Sequence, residues 1–211
     1  MLYHLYNTLY EFTSSFLNMK TSVDEILPNL WLGNYKAAHD INFLIDNKID
    51  MIINCTSNIP LIQEIIDTKL KKQKYNNISS FDICSIYNIE TFRIPVNDSL
   101  LEHDFIIMEN YFKIVVPLLL RKYTVENKKI LIHCHAGKQR SSIVTAALIK
   151  VLLDHKYIEL NEIPKTDCQL TQFQNICNYI RTKRPQVFTY GLRINFESSY
   201  KNYFNINLKK K

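Results

Sequence analysis

The sequence has little of what makes long linkers or membrane spans. Its 211 residues include only 3 glycines and 6 prolines, which argues against flexible connections between separate domains. No apolar run approaches the roughly 20 residues that cross a bilayer, and the amino terminus lacks the basic start and continuous apolar stretch of a signal peptide. With 46% hydrophobic and 22% charged residues, the composition predicts one soluble globular domain with an extension.

A cysteine pattern is also missing. The five cysteines are Cys55, Cys84, Cys134, Cys168 and Cys177. Their spacing is not that of metal ligands, and an odd number does not make a disulfide framework. The successive side chains of His133, Cys134 and His135 would point to opposite faces of a strand, so we expect no metal there and no cofactor. These features indicate an intracellular, cytoplasmic protein in a reducing compartment.

Positive charge is in modest excess, with a formal net charge of +6. This excess suits an anionic substrate. Its main clusters, residues 69–74 and 209–211, are typical of solvated faces, and residues 205–211 are expected to be a basic tail beyond the domain. Because no nucleic-acid-binding motif accompanies these clusters, no nucleic-acid partner is expected.

The most informative stretch is residues 128–153. Its apolar run at 130–132 is typical of a buried strand. Residues 143–153 are apolar at almost every position, and their length predicts a buried helix. The sequence HCHAGKQRSS lies between them, at 133–142. The stretch therefore predicts a strand, a tight turn and a helix N-terminus, with a cysteine where the turn begins and an arginine where it ends.

The predicted turn is suited to holding an anion, because its backbone N–H groups point inward and the helix dipole adds partial positive charge. Gly137 permits the positive φ that closes the loop, and the planar fork of Arg140 can bond two phosphate oxygens at once. The same field is expected to lower the pKa of the Cys134 thiol. A thiolate beneath an anion site is the arrangement for attack on phosphorus. The alternative is a buried structural cysteine beside a chance arginine.

In the order H-C-x-x-G-x-x-R-S, these residues resemble the signature of cysteine-dependent protein tyrosine phosphatases. The form is most similar to the dual-specificity branch, including its poxvirus-type members. The resemblance implies that Cys134 is the nucleophile and that Arg140 binds phosphate. We expect Ser141 to donate a hydrogen bond to the sulfur and His133 to support the loop. The implied phosphate-binding residues are His135, Ala136, Gly137, Lys138, Gln139 and Arg140.

The resemblance also implies a proton donor for the leaving group. In the family an aspartate on a mobile loop supplies this proton, and Asp98 lies at the matching position, directly after a predicted strand at residues 94–96. Glu102 and Asp104 are the competing carboxylates. We expect both to cap the next helix, where acidic side chains complement the dipole.

The resemblance covers roughly residues 25–204. It implies an α/β fold, a single domain with a central mixed, mostly parallel sheet flanked by helices. The sequence predicts a strand at 51–54 and helices at 35–47, 105–123 and 170–184. In the final turn the family has a glutamine where this chain has Asn195, so Asn195 is given no catalytic role.

Residues 1–24 form an extension before this domain. Within residues 1–20, apolar side chains three and four positions apart predict an amphipathic helix with an aromatic face. These side chains are Leu2, Leu5, Tyr6, Leu9, Phe12, Phe16 and Leu17. Two interpretations stay open. The face packs on its own domain, or it forms a homodimer, as N-terminal helices do in the poxvirus-type phosphatases that the chain resembles.

The implied function is a dual-specificity protein phosphatase, which hydrolyses phosphotyrosine and phosphoserine or phosphothreonine in phosphoproteins through a phosphocysteine. A phosphoinositide phosphatase is an alternative, since His135 and Lys138 put cationic or ionisable groups in the loop. RNA 5′-phosphatases share the fold, and a non-catalytic scaffold that binds phosphoproteins is a third class, against which the intact Cys134 argues. Richness in Ile, Asn, Lys and Tyr indicates an AT-rich genome such as that of a large DNA virus, which makes the virion an alternative location.

Overall fold

The computed structural model describes residues 21–71, 80–99, 101–188 and 194–206. Residues 1–20, on which the predicted amphipathic helix and the homodimer contact fall, lie outside the described residues. The same holds for residues 207–211 of the predicted basic tail.

Five strands form one central sheet in the order β1-β2-β5-β3-β4. They are β1 Val23–Leu27, β2 Leu30–Gly33, β3 Met51–Asn54, β4 Glu90–Arg93 and β5 Ile130–His133. The hairpin of β1 and β2 is antiparallel, whereas the β2–β5, β5–β3 and β3–β4 pairs are parallel. The predicted α/β fold with a mixed, mostly parallel sheet is confirmed.

Helices flank this sheet. They are α1 Tyr35–Ala38, α2 Ile41–Asp46, α3 Ile62–Lys71, α4 Ser80–Tyr87, α5 Glu102–Thr124, α6 Arg140–Asp154, α7 Gln169–Lys183 and α8 Glu197–Tyr203. The helices predicted at 105–123 and 170–184 are confirmed as α5 and α7. Within the described ranges, no helix is long and apolar enough to span a membrane.

Two predicted elements need correction. The single helix expected over residues 35–47 is two helices, because the carboxylate of Asp40 accepts the Phe43 N–H at 3.2 Å and starts α2 as an N-cap. The strand expected at 94–96 is absent from the described fold, and β4 ends at Arg93. Pro95 has no N–H to donate to a neighbouring strand, so it ends the ladder.

Both faces of the sheet are buried by helices. Ile130 and Ile132 of β5 belong to an apolar cluster with α5, α6, α7 and α8. Leu131, between them, belongs to a second cluster with residues of α1 to α4. Successive side chains of a strand alternate between faces, and β5 is fully buried because helices cover both sides.

The carboxyl ends of the parallel strands lie along one edge. Gly33 at the end of β2 and Asn54 at the end of β3 are both in register with His133 at the end of β5. Asn54 is in turn in register with Arg93 of β4. The chain segments that follow these four strands therefore leave the sheet side by side, which is where open α/β sheets bind their ligands.

Candidate active site

Residues 134–139 form the loop between β5 and α6, hereafter the phosphate loop. Cys134 begins the loop and is only 2% exposed. Its sulfur accepts the Gly137 N–H at 3.2 Å and the Ser141 hydroxyl at 3.3 Å. Hydrogen-bond donors around a sulfur favour its ionised form. The expected contact between Ser141 and the cysteine sulfur is therefore present.

Opposing effects act on the pKa of Cys134. Burial raises the pKa, whereas the Arg140 guanidinium and hydrogen bonds from Ser141 and the Lys138 backbone lower it. The lowering effects prevail, so the pKa of Cys134 lies below its ordinary value. This is the direction that the sequence led us to expect. A thiolate is the reactive form of cysteine.

Arg140 is the first residue of α6, and its side chain is nearly buried. Its Nη1 donates to the Val96 carbonyl at 3.1 Å, and its Nη2 lies 3.6 Å from Oδ2 of Asp98. The buried Nε has no hydrogen-bond partner among the described residues. A buried charged N–H without an acceptor is unfavourable, so this guanidinium is suited to donate to an anion.

Asp98 lies in the segment between β4 and α5, with 48% of its side chain exposed. The neighbouring Asn97 and Ser99 are held by Asp104, which accepts the Asn97 N–H at 3.2 Å and the Ser99 hydroxyl. Asp104 lies in the first turn of α5, where an acidic side chain complements the helix dipole as expected. Its fully buried carboxylate also holds the preceding segment, which the sequence did not indicate. Glu102 is exposed in the first turn of α5, as expected.

His133 is buried at the end of β5, and its Nδ1 lies 3.4 Å from the Cys134 carbonyl. Burial lowers the pKa of His133 to about 3, so the ring is neutral near pH 7. On the adjacent strand end, the Cys55 N–H donates to the His133 carbonyl at 2.8 Å. Burial, followed by the nearby Cys134, raises the pKa of the Cys55 thiol well above its ordinary value. The pKa values of the two cysteines at this edge are thus shifted in opposite directions.

The geometry agrees with a comparison of the sequence with known families. The family model of the dual specificity phosphatase catalytic domain matches residues 30–166. The match covers more than half of the chain and includes β2 to β5, the phosphate loop and Asp98. The chain belongs to the dual specificity phosphatase family. It is a protein tyrosine/serine/threonine phosphatase by family, and phosphoproteins are the implied substrates.

Relatives of the phosphatase include viral proteins. AMV078 of Amsacta moorei entomopoxvirus, provisionally assigned as a tyrosine-protein phosphatase, is 28% identical over 175 residues, which are 81% of each chain. The OH1 structure from Orf virus, described as a tyrosine phosphatase with triple substrate specificity, has a TM-score of 0.56 and 17% identity. The match covers 94% of this chain and 99% of OH1.

Human structures share the fold as well. DUSP28 gives a TM-score of 0.54 at 16% identity, covering 87% of this chain and 93% of that one. The human tyrosine phosphatase-like serine/threonine/tyrosine-interacting protein gives the same TM-score and identity, and the match covers 87% of this chain and 96% of that one. At such identities the likeness of these structures establishes the fold alone.

One residue near the phosphate loop of the phosphatase was missed by the sequence analysis. Arg184, fully buried, donates from Nε to the Gly137 carbonyl at 2.9 Å, and its Nη1 pairs with the Asp24 carboxylate. Gly137 itself has a φ of 67°, as the tight turn requires. Arg184 is the last residue of the helix predicted at 170–184, and nothing in its sequence position indicates a contact with Gly137, 47 positions away.

Two further residues of the phosphate loop form hydrogen bonds with residues that follow α7. The Lys138 carbonyl accepts the Phe188 N–H at 2.9 Å. The side chain of Gln139, nearly buried, accepts the Asn195 N–H at 3.2 Å. Asn195 thus contacts the loop through its backbone. His135, by contrast, is exposed, and Ala136 is half-buried.

Proposed function

We propose that this phosphatase hydrolyses phosphotyrosine, phosphoserine and phosphothreonine through a phosphocysteine intermediate. The observation that carries the proposal is the buried Cys134 sulfur, with its two hydrogen-bond donors and its lowered pKa. A purely structural thiol behaves differently. Burial raises the pKa of Cys177 to about 12, which keeps that side chain protonated.

In the first step, the Cys134 thiolate attacks phosphorus. The S–P bond forms, the bond from phosphorus to the leaving oxygen breaks, and the electron pair stays on that oxygen. Asp98 gives this oxygen its proton. The amides of residues 135–140 and the Arg140 fork bind the other phosphate oxygens and stabilise their charge in the transition state. Asp98 Oδ2 lies 3.6 Å from Arg140 Nη2, so this carboxyl group is next to the guanidinium that binds the phosphate.

In the second step, water attacks the phosphocysteine. The Asp98 carboxylate takes a proton from the water, the S–P bond breaks, and the thiolate leaves with inorganic phosphate as product. The Ser141 hydroxyl stabilises the departing thiolate through its contact at 3.3 Å. His133 supports the loop and does not serve as base, because a pKa of about 3 makes its ring a very weak one.

A phosphoinositide substrate is the second candidate. The exposed His135 and the half-buried Lys138 add ionisable or cationic groups at the rim of the loop, and such groups favour substrates with several phosphates. The triple substrate specificity attributed to Orf virus OH1 supports testing more than one class of phosphomonoester.

The test compares phosphate release by the wild type and by Cys134→Ser. The substrates are a phosphotyrosine peptide, a phosphothreonine peptide and a soluble multiply phosphorylated inositol lipid. We expect turnover of both peptides that is lost in Cys134→Ser, and a phosphoenzyme detected by mass spectrometry after acid quench of the wild type. Turnover confined to the lipid would assign the site to phosphoinositides. No turnover of any substrate would refute the catalytic proposal and favour a phosphoprotein-binding scaffold.

A further inference from the structure

The phosphate loop has a different neighbour on each side. Because the sheet order is β1-β2-β5-β3-β4, the segment after β2 lies on one side of the loop. The segments after β3 and β4 lie on the other side. The β4 segment carries Asp98, whereas the β2 segment carries Asn34 and Tyr35. A leaving group bound above Cys134 thus lies between Asp98 and the first turn of α1.

Three rings line the α1 side of the loop. The ring of Tyr35 lies 5.2 Å from that of His135, with 35° between the planes. It also meets the ring of His39 edge-on, at 5.9 Å and 72°. We call Tyr35, His39 and His135 the aromatic rim. His135 directly follows the nucleophile in the chain, so the aromatic rim begins within the phosphate loop.

Backbone contacts hold the aromatic rim in place. The Tyr35 N–H donates to the His135 carbonyl at 3.3 Å, which joins α1 to the phosphate loop. The Asn34 side chain caps α1 by accepting the N–H groups of Lys36 and Ala37. On the far side, His39 Nε2 lies 3.0 Å from the Pro60 carbonyl. These contacts fix the backbones of Tyr35 and His135 and the ring of His39, which lowers the entropic cost of meeting a ligand.

The aromatic rim is not part of the apolar core of the described fold. Tyr35 belongs to neither of the two apolar clusters that the described residues form. Its side chain is half-buried, and that of His135 is exposed. An aromatic pair placed at the mouth of an anion site, outside the core, presents ring surface to whatever the anion is attached to.

We propose that the aromatic rim is a specificity element that contacts the phenyl ring of phosphotyrosine. The inference rests on the proposed function and deepens it, because it ranks the substrates of that site. A phenyl ring attached to the bound phosphate extends beyond the phosphate loop and reaches the aromatic rim, where offset or edge-on ring contacts are favourable. The short side chains of phosphoserine and phosphothreonine carry no ring to make these contacts. The phosphatase therefore prefers aryl to alkyl phosphomonoesters.

The test measures kcat/KM for a phosphotyrosine peptide and for a phosphothreonine peptide with the same flanking sequence. We expect Tyr35→Ala to lower the ratio of the two values about two- to tenfold, the range for an aromatic pair. Tyr35→Phe keeps the ring and is expected to keep the ratio. A parallel loss on both peptides, or an unchanged ratio in Tyr35→Ala, would overturn the proposal.

Tyr157→Ala is the matched control. Tyr157 is an exposed tyrosine that also pairs with a histidine, His155, at 6.2 Å. This pair follows the end of α6, whereas the phosphate loop precedes its start. Removing Tyr157 is expected to leave the ratio unchanged. If Tyr157→Ala lowers the kcat/KM ratio as much as Tyr35→Ala does, any exposed ring has the same effect. That result would overturn the role of the aromatic rim.

A binding measurement separates this inference from the proposed mechanism. Dissociation constants for the same two peptides are measured with Cys134→Ser, with and without Tyr35→Ala. Weaker binding of the phosphotyrosine peptide alone, caused by Tyr35→Ala, supports the rim even if the wild type turns over neither peptide. Equal effects on both dissociation constants would refute the rim, whatever the outcome for catalysis.

Discussion

Arg184 donates from Nε to the carbonyl of Gly137 at 2.9 Å, across 47 positions of the chain. The same guanidinium pairs through Nη1 with the carboxylate of Asp24 in β1. One buried cation thus ties the end of α7 to the first strand and to the phosphate loop. Burial lowers the pKa of Arg184, and the charges of Asp24 and Cys134 act in the opposite direction. The contact therefore joins fold stability to the ionisation of the nucleophile.

Replacing Arg184 is expected to affect both properties. Arg184→Met leaves Asp24 without its partner and should lower the free energy of unfolding by about 3 kcal/mol or more. It also removes a positive charge that favours the Cys134 thiolate, so the pH curve of Cys134 alkylation should shift to higher pH. Arg184→Lys keeps the charge and should restore part of that shift. Chemical denaturation and alkylation by iodoacetamide measure the two effects.

The matched control for Arg184 is Lys183→Met, which removes an exposed cation one position earlier. We expect it to change neither stability nor the alkylation curve. If Arg184→Met lowers stability but leaves the alkylation curve in place, Arg184 is only a structural residue.

Gly137 is expected to tolerate no side chain. Its φ of 67° disfavours L-residues, and an added Cβ would lie 2.5 Å from the Gly33 carbonyl oxygen and 2.8 Å from Nη2 of Arg184. Gly137→Ala should therefore lower the unfolding midpoint and abolish most phosphatase activity. Gly33→Ala is the comparison, because its Cβ would meet the nearest atoms at 3.2 Å without a positive φ. Equal losses in the two variants, by thermal unfolding and kcat/KM, would contradict this account.

The strand, turn and helix around the nucleophile could be predicted because the signals are contiguous. Apolar residues on both sides of the turn define β5 and α6, and residues within one tight turn must lie close together. The contact between Ser141 and Cys134 follows from that local geometry. The apolar sequence of β5 likewise predicted a buried strand, whereas the mixed, mostly parallel sheet was implied by the resemblance to the phosphatase family.

Other features depend on tertiary packing. Asp24 and Arg184 are 160 positions apart, so no local pattern indicates that they meet. Asp104 has the position of a helix-capping carboxylate, yet the path of the preceding segment brings Asn97 and Ser99 within its reach. The break at Asp40 was hidden because apolar periodicity continues from α1 into α2, and a capping aspartate does not interrupt it.

Ser141 is expected to act on the sulfur in both steps. Its hydroxyl is fully buried and donates to Cys134 Sγ at 3.3 Å. In Ser141→Ala the thiolate loses this donor, so the pKa of Cys134 rises and alkylation requires higher pH. Hydrolysis of the phosphocysteine should slow about 10- to 100-fold, the range for a hydrogen bond to a charged group. Rapid-quench kinetics should then reveal a burst that is larger than in the wild type.

Ser142→Ala is the control for Ser141. The hydroxyl of Ser142 is equally buried, and it has no hydrogen-bond partner among the described residues. Its removal should leave the alkylation curve and the burst unchanged. A similar slowing in both variants would show that packing at the start of α6, rather than the donor, controls the second step.

Residues 1–20 are expected to hold two copies of the chain together, which we propose from the apolar face in their sequence alone. Because β1 begins at Val23, a chain that starts at Thr21 keeps the whole sheet. Light scattering after size exclusion should give a dimer for the full chain and a monomer for the shortened one. Phe12→Ser with Phe16→Ser should also give a monomer. A monomeric full chain at micromolar concentration would refute the homodimer.

The contribution of Asp98 to the rate is expected to be larger when the leaving oxygen needs a proton. Asp98→Asn keeps the size of the side chain but cannot give a proton, so kcat for phosphopeptides should fall about 10²- to 10⁴-fold. The kcat for a nitrophenyl phosphate, whose leaving oxygen needs no proton, should fall much less. Glu102→Gln, an exposed carboxylate four positions away, should change neither rate. Equal losses of Asp98→Asn on both substrates would mean that Asp98 orients Arg140 instead of donating a proton.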